Sequence, residues 1–213
     1  DEIALEIHAA GGVTALLDAA RRHFHSVDVQ GAAAGALRNL AEIDEIASSI
    51  AALGGVEVLV DAAARHQSIE VQARVAGALR KLSANDENKH EIADADGIAM
   101  LIHSAKVHLD NAVVQAGVAG ALSNLSVDDE IEQLIATQGG IDALVEASRV
   151  HVGNVKVQAR VVRALTNLSV HESNKPKIAT VKGITALINA SLGHGDSAEV
   201  QAGVAGAPRH PSG

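Results

Sequence analysis

The strongest constraint on this chain is that it repeats itself. The stretch VQGAAAGALRNLA at residues 29–41 returns as VQARVAGALRKLS, VQAGVAGALSNLS and VQARVVRALTNLS. Two independent markers keep one period. A glycine before Val or Ile stands at Gly12, Gly55, Gly97, Gly140 and Gly183, and a Val-Gln pair at Val29-Gln30, Val71-Gln72, Val114-Gln115, Val157-Gln158 and Val200-Gln201. Each marker recurs after 42 or 43 residues. A fixed period in this range signals stacked units, each covering an apolar face that its neighbour cannot bury alone.

Each period reads as three helical segments. The first is short, as in DEIEQLIATQ, and stops at a Gly-Gly pair. The second, as in IDALVEASRVH, has Ile141, Leu144, Val145 and Ala147 at helical spacing. Ser26, Ser68, Asn111, Asn154 and Ser197 are suited to cap the third and longest segment. In that segment Val29, Ala33, Ala36, Leu37 and Leu40 predict one buried stripe, with positions 31, 35 and 38 on the exposed side. No strand pattern interrupts the helices, so the expected class is all-α.

Composition narrows the function. Apolar residues make up 47% of the chain, yet the only aromatic is Phe24 and the only methionine Met100. With a net charge of −9 there is no long-range basic field, and no aromatic set on which unpaired bases could stack. Nucleic acid is therefore not an expected partner. No apolar run reaches the ~18 residues that would cross a bilayer, so a membrane is not expected either. The absence of cysteine removes thiolate chemistry and fits a reducing compartment, the cytoplasm, with the nucleus as the alternative. No signal peptide is visible, and the missing initiator Met suggests a piece of a longer array.

A unit of about 43 residues with three helices resembles the armadillo repeat. The resemblance rests on GGI before the second helix, VQ opening the third, and AL-x-N-L closing it, as in GALRNLA and RALTNLS. It runs from residue 1 to about 207 and implies a right-handed α-solenoid forming one domain. Four complete repeats are expected at about 1–41, 42–84, 85–127 and 128–170, followed by a partial repeat at 171–207 and a disordered tail at 208–213. In the partial repeat Pro208 replaces the leucine of Leu37, Leu79, Leu122 and Leu165, and should end its third helix. Neither end carries an obvious polar cap, which points to end-to-end or dimeric self-association.

The function the resemblance implies is non-enzymatic protein–protein binding, with an extended partner segment lying along the third helices. The residues assigned to that groove are Arg38, Asn39, Arg74, Arg80, Lys81, Asn124, Arg160, Arg163 and Asn167. Residues 29–41, 71–83, 114–126 and 157–169 contain six of these cations and no Asp or Glu, which points to an acidic partner. The alternatives are a receptor of the importin-α type for nuclear localisation signals, and a self-assembling or engineered repeat module. The asparagines of the importin pattern are present at Asn39, Asn124 and Asn167, with Lys81 interrupting them, and its tryptophans are absent. Without those rings no cation–π slot exists for lysine chains.

Two further features carry alternative readings. Gly35, Gly77 and Gly120 stand in register, either to let helices approach closely or to form a smooth floor for a partner. One histidine per repeat (His23, His66, His108, His151, His194) follows the repeat glycine by eleven residues. Successive repeats hold these rings too far apart to share a metal ion, so each is expected to cap its own second helix. No metal, cofactor or catalytic site is expected, because no nucleophile motif, phosphate loop or paired carboxylate stands out.

Overall fold

The computed structural model describes residues 2–180 and 182–205, and every described element is helical. Three triplets open the chain: α1 (Glu2–Ala9), α2 (Gly12–Arg22) and α3 (Val27–Leu40); α4 (Asp44–Ala52), α5 (Gly55–Arg65) and α6 (Ile69–Leu82); α7 (Glu87–Asp94), α8 (Gly97–Val107) and α9 (Ala112–Leu125). They are followed by α10 (Asp129–Thr137), α11 (Gly140–Val150) and α12 (Val155–Leu168), and by α13 (Lys175–Thr180), α14 (Gly183–Gly193) and α15 (Ala198–Ala205). This helix order is that of an armadillo-type solenoid with about five repeats. Pro208 and the tail at 208–213 lie outside the described residues. The chain divides into two compact units, Asp1–Ser104 and Ala105–Gly213.

The glycine pair explains why the period is so strict. Its first member caps the second helix in the left-handed region, with φ of 81° at Gly11, 75° at Gly54 and 91° at Gly139. Asp96 and Lys182 hold the same conformation at φ 59° and 63° without being glycine, so this position tolerates a side chain at some cost. The second member tolerates none. A Cβ on Gly12, Gly55, Gly97, Gly140 or Gly183 would lie 2.6–2.9 Å from the carbonyl oxygen of Ile7, Ile50, Ile92, Ile135 or Ile178. That is inside van der Waals contact with backbone that cannot swing away. The first helix can turn into the second only if this residue has no side chain.

The Val-Gln pair has an equally specific cause. The glutamine of each third helix reaches back across the end of its own second helix. Its Nε2 donates at 2.7–3.1 Å to two carbonyls there: Ala20 and His23 for Gln30, Ala63 and His66 for Gln72, Ala105 and His108 for Gln115, Ser148 and His151 for Gln158, Ser191 and His194 for Gln201. The last carbonyls of a helix have no partner within it, and one amide here satisfies two of them. The expected caps form as well: Ser26, Ser68, Asn111, Asn154 and Ser197 each accept from the third-helix valine three residues on.

The histidines do more than expected. His23, His66, His151 and His194 terminate their second helices, but three of the rings turn to the preceding repeat. Nε2 of His66 donates to the Phe24 carbonyl at 2.7 Å, that of His151 to Leu109 at 2.6 Å, and that of His194 to Val152 at 2.8 Å. Each ring is a tie between repeats. The carbonyls it seeks lie in the loop of a neighbour, and helical periodicity within one repeat cannot reveal them.

The third helix also differs from its predicted wheel. In α3, Gln30, Gly31, Ala33, Ala34, Leu37 and Leu40 are buried, while Val29 and Ala36 are only half-buried. Gly31 and Gly35 were expected on the exposed side, yet Gly31 is buried and Gly35 half-buried. A third helix is covered on more than one side. In the first unit α3 packs against both α2 and α6, and in the second α12 packs against α9, α11 and α15. Two neighbours bury two stripes, whereas a single-stripe wheel assumes one.

Candidate binding face of the third helices

In the first unit the predicted cations lie across the seam between α3 and α6. A Cβ on Gly35 would meet Arg74 Cδ at 3.4 Å, and one on Gly77 would meet Arg38 Cδ at 2.8 Å. Each arginine therefore lies over the glycine of the facing helix. This supports close helix approach as the role of these two glycines, since the room they leave is filled by the chain's own side chains. Arg74 Nη2 pairs with Glu70 at 2.8 Å, and Lys81 pairs with Glu42, which follows the end of α3. Arg38 and Asn39 are both exposed, and Arg38 Nη2 donates to Asn39 Oδ1 at 3.1 Å. Arg80 is half-buried.

In the second unit the same positions bridge helices through neutral groups. Arg160 Nη1 donates to the Ala116 carbonyl at 2.6 Å, tying α12 to α9. Asn167 Nδ2 donates to the Ser123 carbonyl at 3.0 Å and to Ser126 Oγ at 3.3 Å. Asn124 is half-buried on α9. Arg163 is exposed and takes part in no hydrogen bond or ion pair among the described residues. The side chains expected to greet a partner thus divide into two groups. Arg160 and Asn167 join one repeat to the next and Lys81 is paired with Glu42, while Arg38, Asn39 and Arg163 face solvent.

The expected absence of acidic residues from the third helices needs correction. These helices begin two residues before the Val-Gln pair, because the cap stands at 26 and 68. They therefore include Asp28 and Glu70 in their first turns. A carboxylate there is favoured by the positive end of the helix dipole. In the second unit α9 and α12 have no acid in the first turn, and α12 adds Lys156.

Sequence reasoning missed two kinds of site. The buried glutamines were visible as a marker but not as a joint, since their partners are backbone carbonyls. Glu132 is the other. It is only 3% exposed, accepting from Asn174 Nδ2 at 2.9 Å and from the His171 amide at 3.3 Å. Burial pushes its carboxyl above the usual range, against the opposing pull of those two hydrogen bonds. No pattern in the first helices sets this residue apart, because its partners are about forty residues away.

Comparison with known proteins agrees with this geometry. None of the curated proteins matches the sequence. Among solved structures, an engineered protein is 30% identical over 95% of this chain and 80% of its own, with a TM-score of 0.81. A designed armadillo repeat protein in complex with the peptide (KR)4 aligns at TM-score 0.81 and 20% identity, over 96% of this chain and 84% of that one. A structure concerned with the interaction between cadherin and β-catenin aligns at TM-score 0.82 and 19% identity, over 94% of this chain and 37% of that one. The armadillo-like family model matches residues 42–193. With the glycine pair, the capped third helix and the inter-repeat ties each accounted for, this chain belongs to the armadillo-like family.

Proposed function

We propose that the chain is a non-enzymatic scaffold whose third helices bind an extended, acidic segment of a partner protein. The fold is one that typically serves as a binding scaffold, and a designed relative was solved with a peptide bound. The observation that carries the acidic preference is the charge of the four long third helices. They hold Arg38, Arg74, Arg80, Lys81, Lys156, Arg160 and Arg163 against Asp28 and Glu70, in a chain whose net charge is −9. Arg163 and Arg38 supply exposed guanidinium groups that can take a carboxylate in a two-pronged contact. Asn39, which faces solvent, provides an amide group of the kind that bonds a peptide backbone irrespective of its sequence.

The test is a titration of fluorescent acidic and lysine-rich peptides against wild type and a variant with Arg38, Arg163 and Lys156 changed to Glu. The acidic peptide should bind wild type and lose about tenfold or more in the variant, corresponding to about 1.4 kcal/mol. Equal binding of the acidic peptide to both proteins disposes of the acidic reading. Tight binding of the lysine-rich peptide instead establishes the importin-like alternative.

A further inference from the structure

The seam between the first two repeats holds a pocket that the third-helix cations do not reach. It is an open cavity of about 270 Å³, with apolar walls from Ala20 and Phe24 on the α2 side and from Val58 and Ala62 on α5. Both repeats that wall it are present, so it lies inside the stack and not at either end of the chain. Of its lining residues only Gln30, 4% exposed, is both polar and buried. Gln30 Nε2 is committed to the Ala20 and His23 carbonyls, while Oε1 accepts from no described residue. The last two repeats show where this oxygen points. There Ser148 and Ser191 donate to Gln158 Oε1 and Gln201 Oε1, and in the first repeat Ala20 holds the serine position. Ala20 lines the cavity, so Gln30 presents an unmet acceptor to it.

The cavity is smaller than the roughly 300–1,000 Å³ of a drug-sized ligand site, and it suits a single side chain. That side chain must bring an apolar body and one donor at its tip. An aliphatic chain leaves the buried oxygen without a partner. An ammonium brings three donors to one acceptor, beside the guanidinium groups of Arg21 and Arg65. A phenol matches, since its ring packs against Phe24 and its one O–H reaches Gln30. We propose that the pocket receives a tyrosine of a partner protein, anchored by a hydrogen bond from its hydroxyl to Gln30 Oε1. The rim favours a protein over a free phenol. Arg65 stands 5.4 Å from the centre of the Phe24 ring, and its pair with Asp61 at 3.6 Å is too long for a hydrogen bond. Its N–H groups are left to donate to a main-chain carbonyl beside the tyrosine. The site uses none of the third-helix cations, so it stands or falls apart from the acidic preference of that face.

Phe24 is the only phenylalanine of a chain without tyrosine or tryptophan, so its ring resonances, with the side-chain amide of Gln30, report on the pocket by NMR. Titrating the intact chain with N-acetyl-tyrosinamide should shift both, with a dissociation constant of about 1 mM, and N-acetyl-phenylalaninamide should bind about tenfold more weakly. Ala20→Ser supplies the hydroxyl that Ser148 and Ser191 already carry, so it should erase that preference while the fold persists. Phe24→Ser, at an exposed position, should weaken both ligands, as read from the Gln30 amide. Absence of shifts at these two residues overturns the proposal. Equal binding of the two ligands to wild type overturns it too, as does an undiminished preference in Ala20→Ser. Tighter binding of N-acetyl-tryptophanamide or of p-cresol overturns the assignment to tyrosine.

Discussion

The two units face the same structural problems at the same repeat positions and answer them with different residues. At the end of the second helix the first unit has Ala63, and Gln72 Oε1 is left buried without a partner among the described residues. The second unit has Ala105 at that place once, but Ser148 and Ser191 in its later repeats, and their hydroxyls donate to Gln158 Oε1 at 2.8 Å and to Gln201 Oε1 at 3.0 Å. The left-handed cap is glycine at Gly11 and Gly54 and then Asp96 in the first unit, and Gly139 and then Lys182 in the second. In the first helix, buried Lys89 pairs with Asp86, while its counterpart Glu132 is held by Asn174 and a backbone amide. The second glycine and the glutamine do not vary between the units. The difference teaches which positions the fold cannot release: those where backbone approaches backbone, or where one side chain satisfies two orphan carbonyls.

That contrast can be broken or sharpened by substitution. The largest effect belongs to the glycine that both units share. Gly140→Ala and Gly55→Ala should each lower unfolding free energy by about 3 kcal/mol, because the added methyl overpacks against a fixed carbonyl. Urea denaturation measures this, and a loss in only one unit would mean that the units do not share the constraint. Lys182→Gly should act in the opposite direction, raising stability by about 1 kcal/mol as left-handed strain is relieved. Asp96→Gly should gain less, since Asp visits that region more readily. Unfolding midpoints of the paired variants check both the sign and the order.

Smaller again is Ala63→Ser, which copies the second unit's solution into the first. A hydroxyl placed as in Ser148 would satisfy Gln72 Oε1 and should add up to about 1 kcal/mol. No gain, or a loss, would show that the buried oxygen is already accommodated. The smallest expected effect is pH-dependent. Burial raises the folded-state pKa of Glu132 above its unfolded value, so folding favours the protonated carboxyl. Stability is then fully present at acid pH and declines as pH rises through the folded value. Glu132→Gln should match wild type near pH 4 and exceed it at neutral pH by less than about 1 kcal/mol. Thermal melts of both proteins across that range decide it; a gap that widens on acidification would contradict the assignment.

Much of this was legible in the residues. The period, the helix triplets, the capping residues and the turn glycines are local matters, and each recurred often enough to be unmistakable. The candidate face was legible only in part. Arg74, Lys81 and Arg160 could be placed on the right helices, but their partners Glu70, Glu42 and the Ala116 carbonyl could not be named. The Ala116 carbonyl belongs to a neighbouring repeat, Glu42 stands at the far end of the repeat from Lys81, and Glu70 lay just before the marker from which the helix was counted. The histidines show the same limit, their position in the repeat being plain and the carbonyls that His66, His151 and His194 seek being one repeat away.

Read alone, then, the amino acids determined the unit and its multiplication, because helix formation, capping and tight turns depend on residues within a few positions of one another. Tertiary structure decided what each unit does to the next: which glycine lies beneath an arginine, and which cation is tied to a neighbouring repeat and which faces water. Those outcomes depend on distances between residues some forty positions apart, and only the stacking of one repeat on another sets such distances.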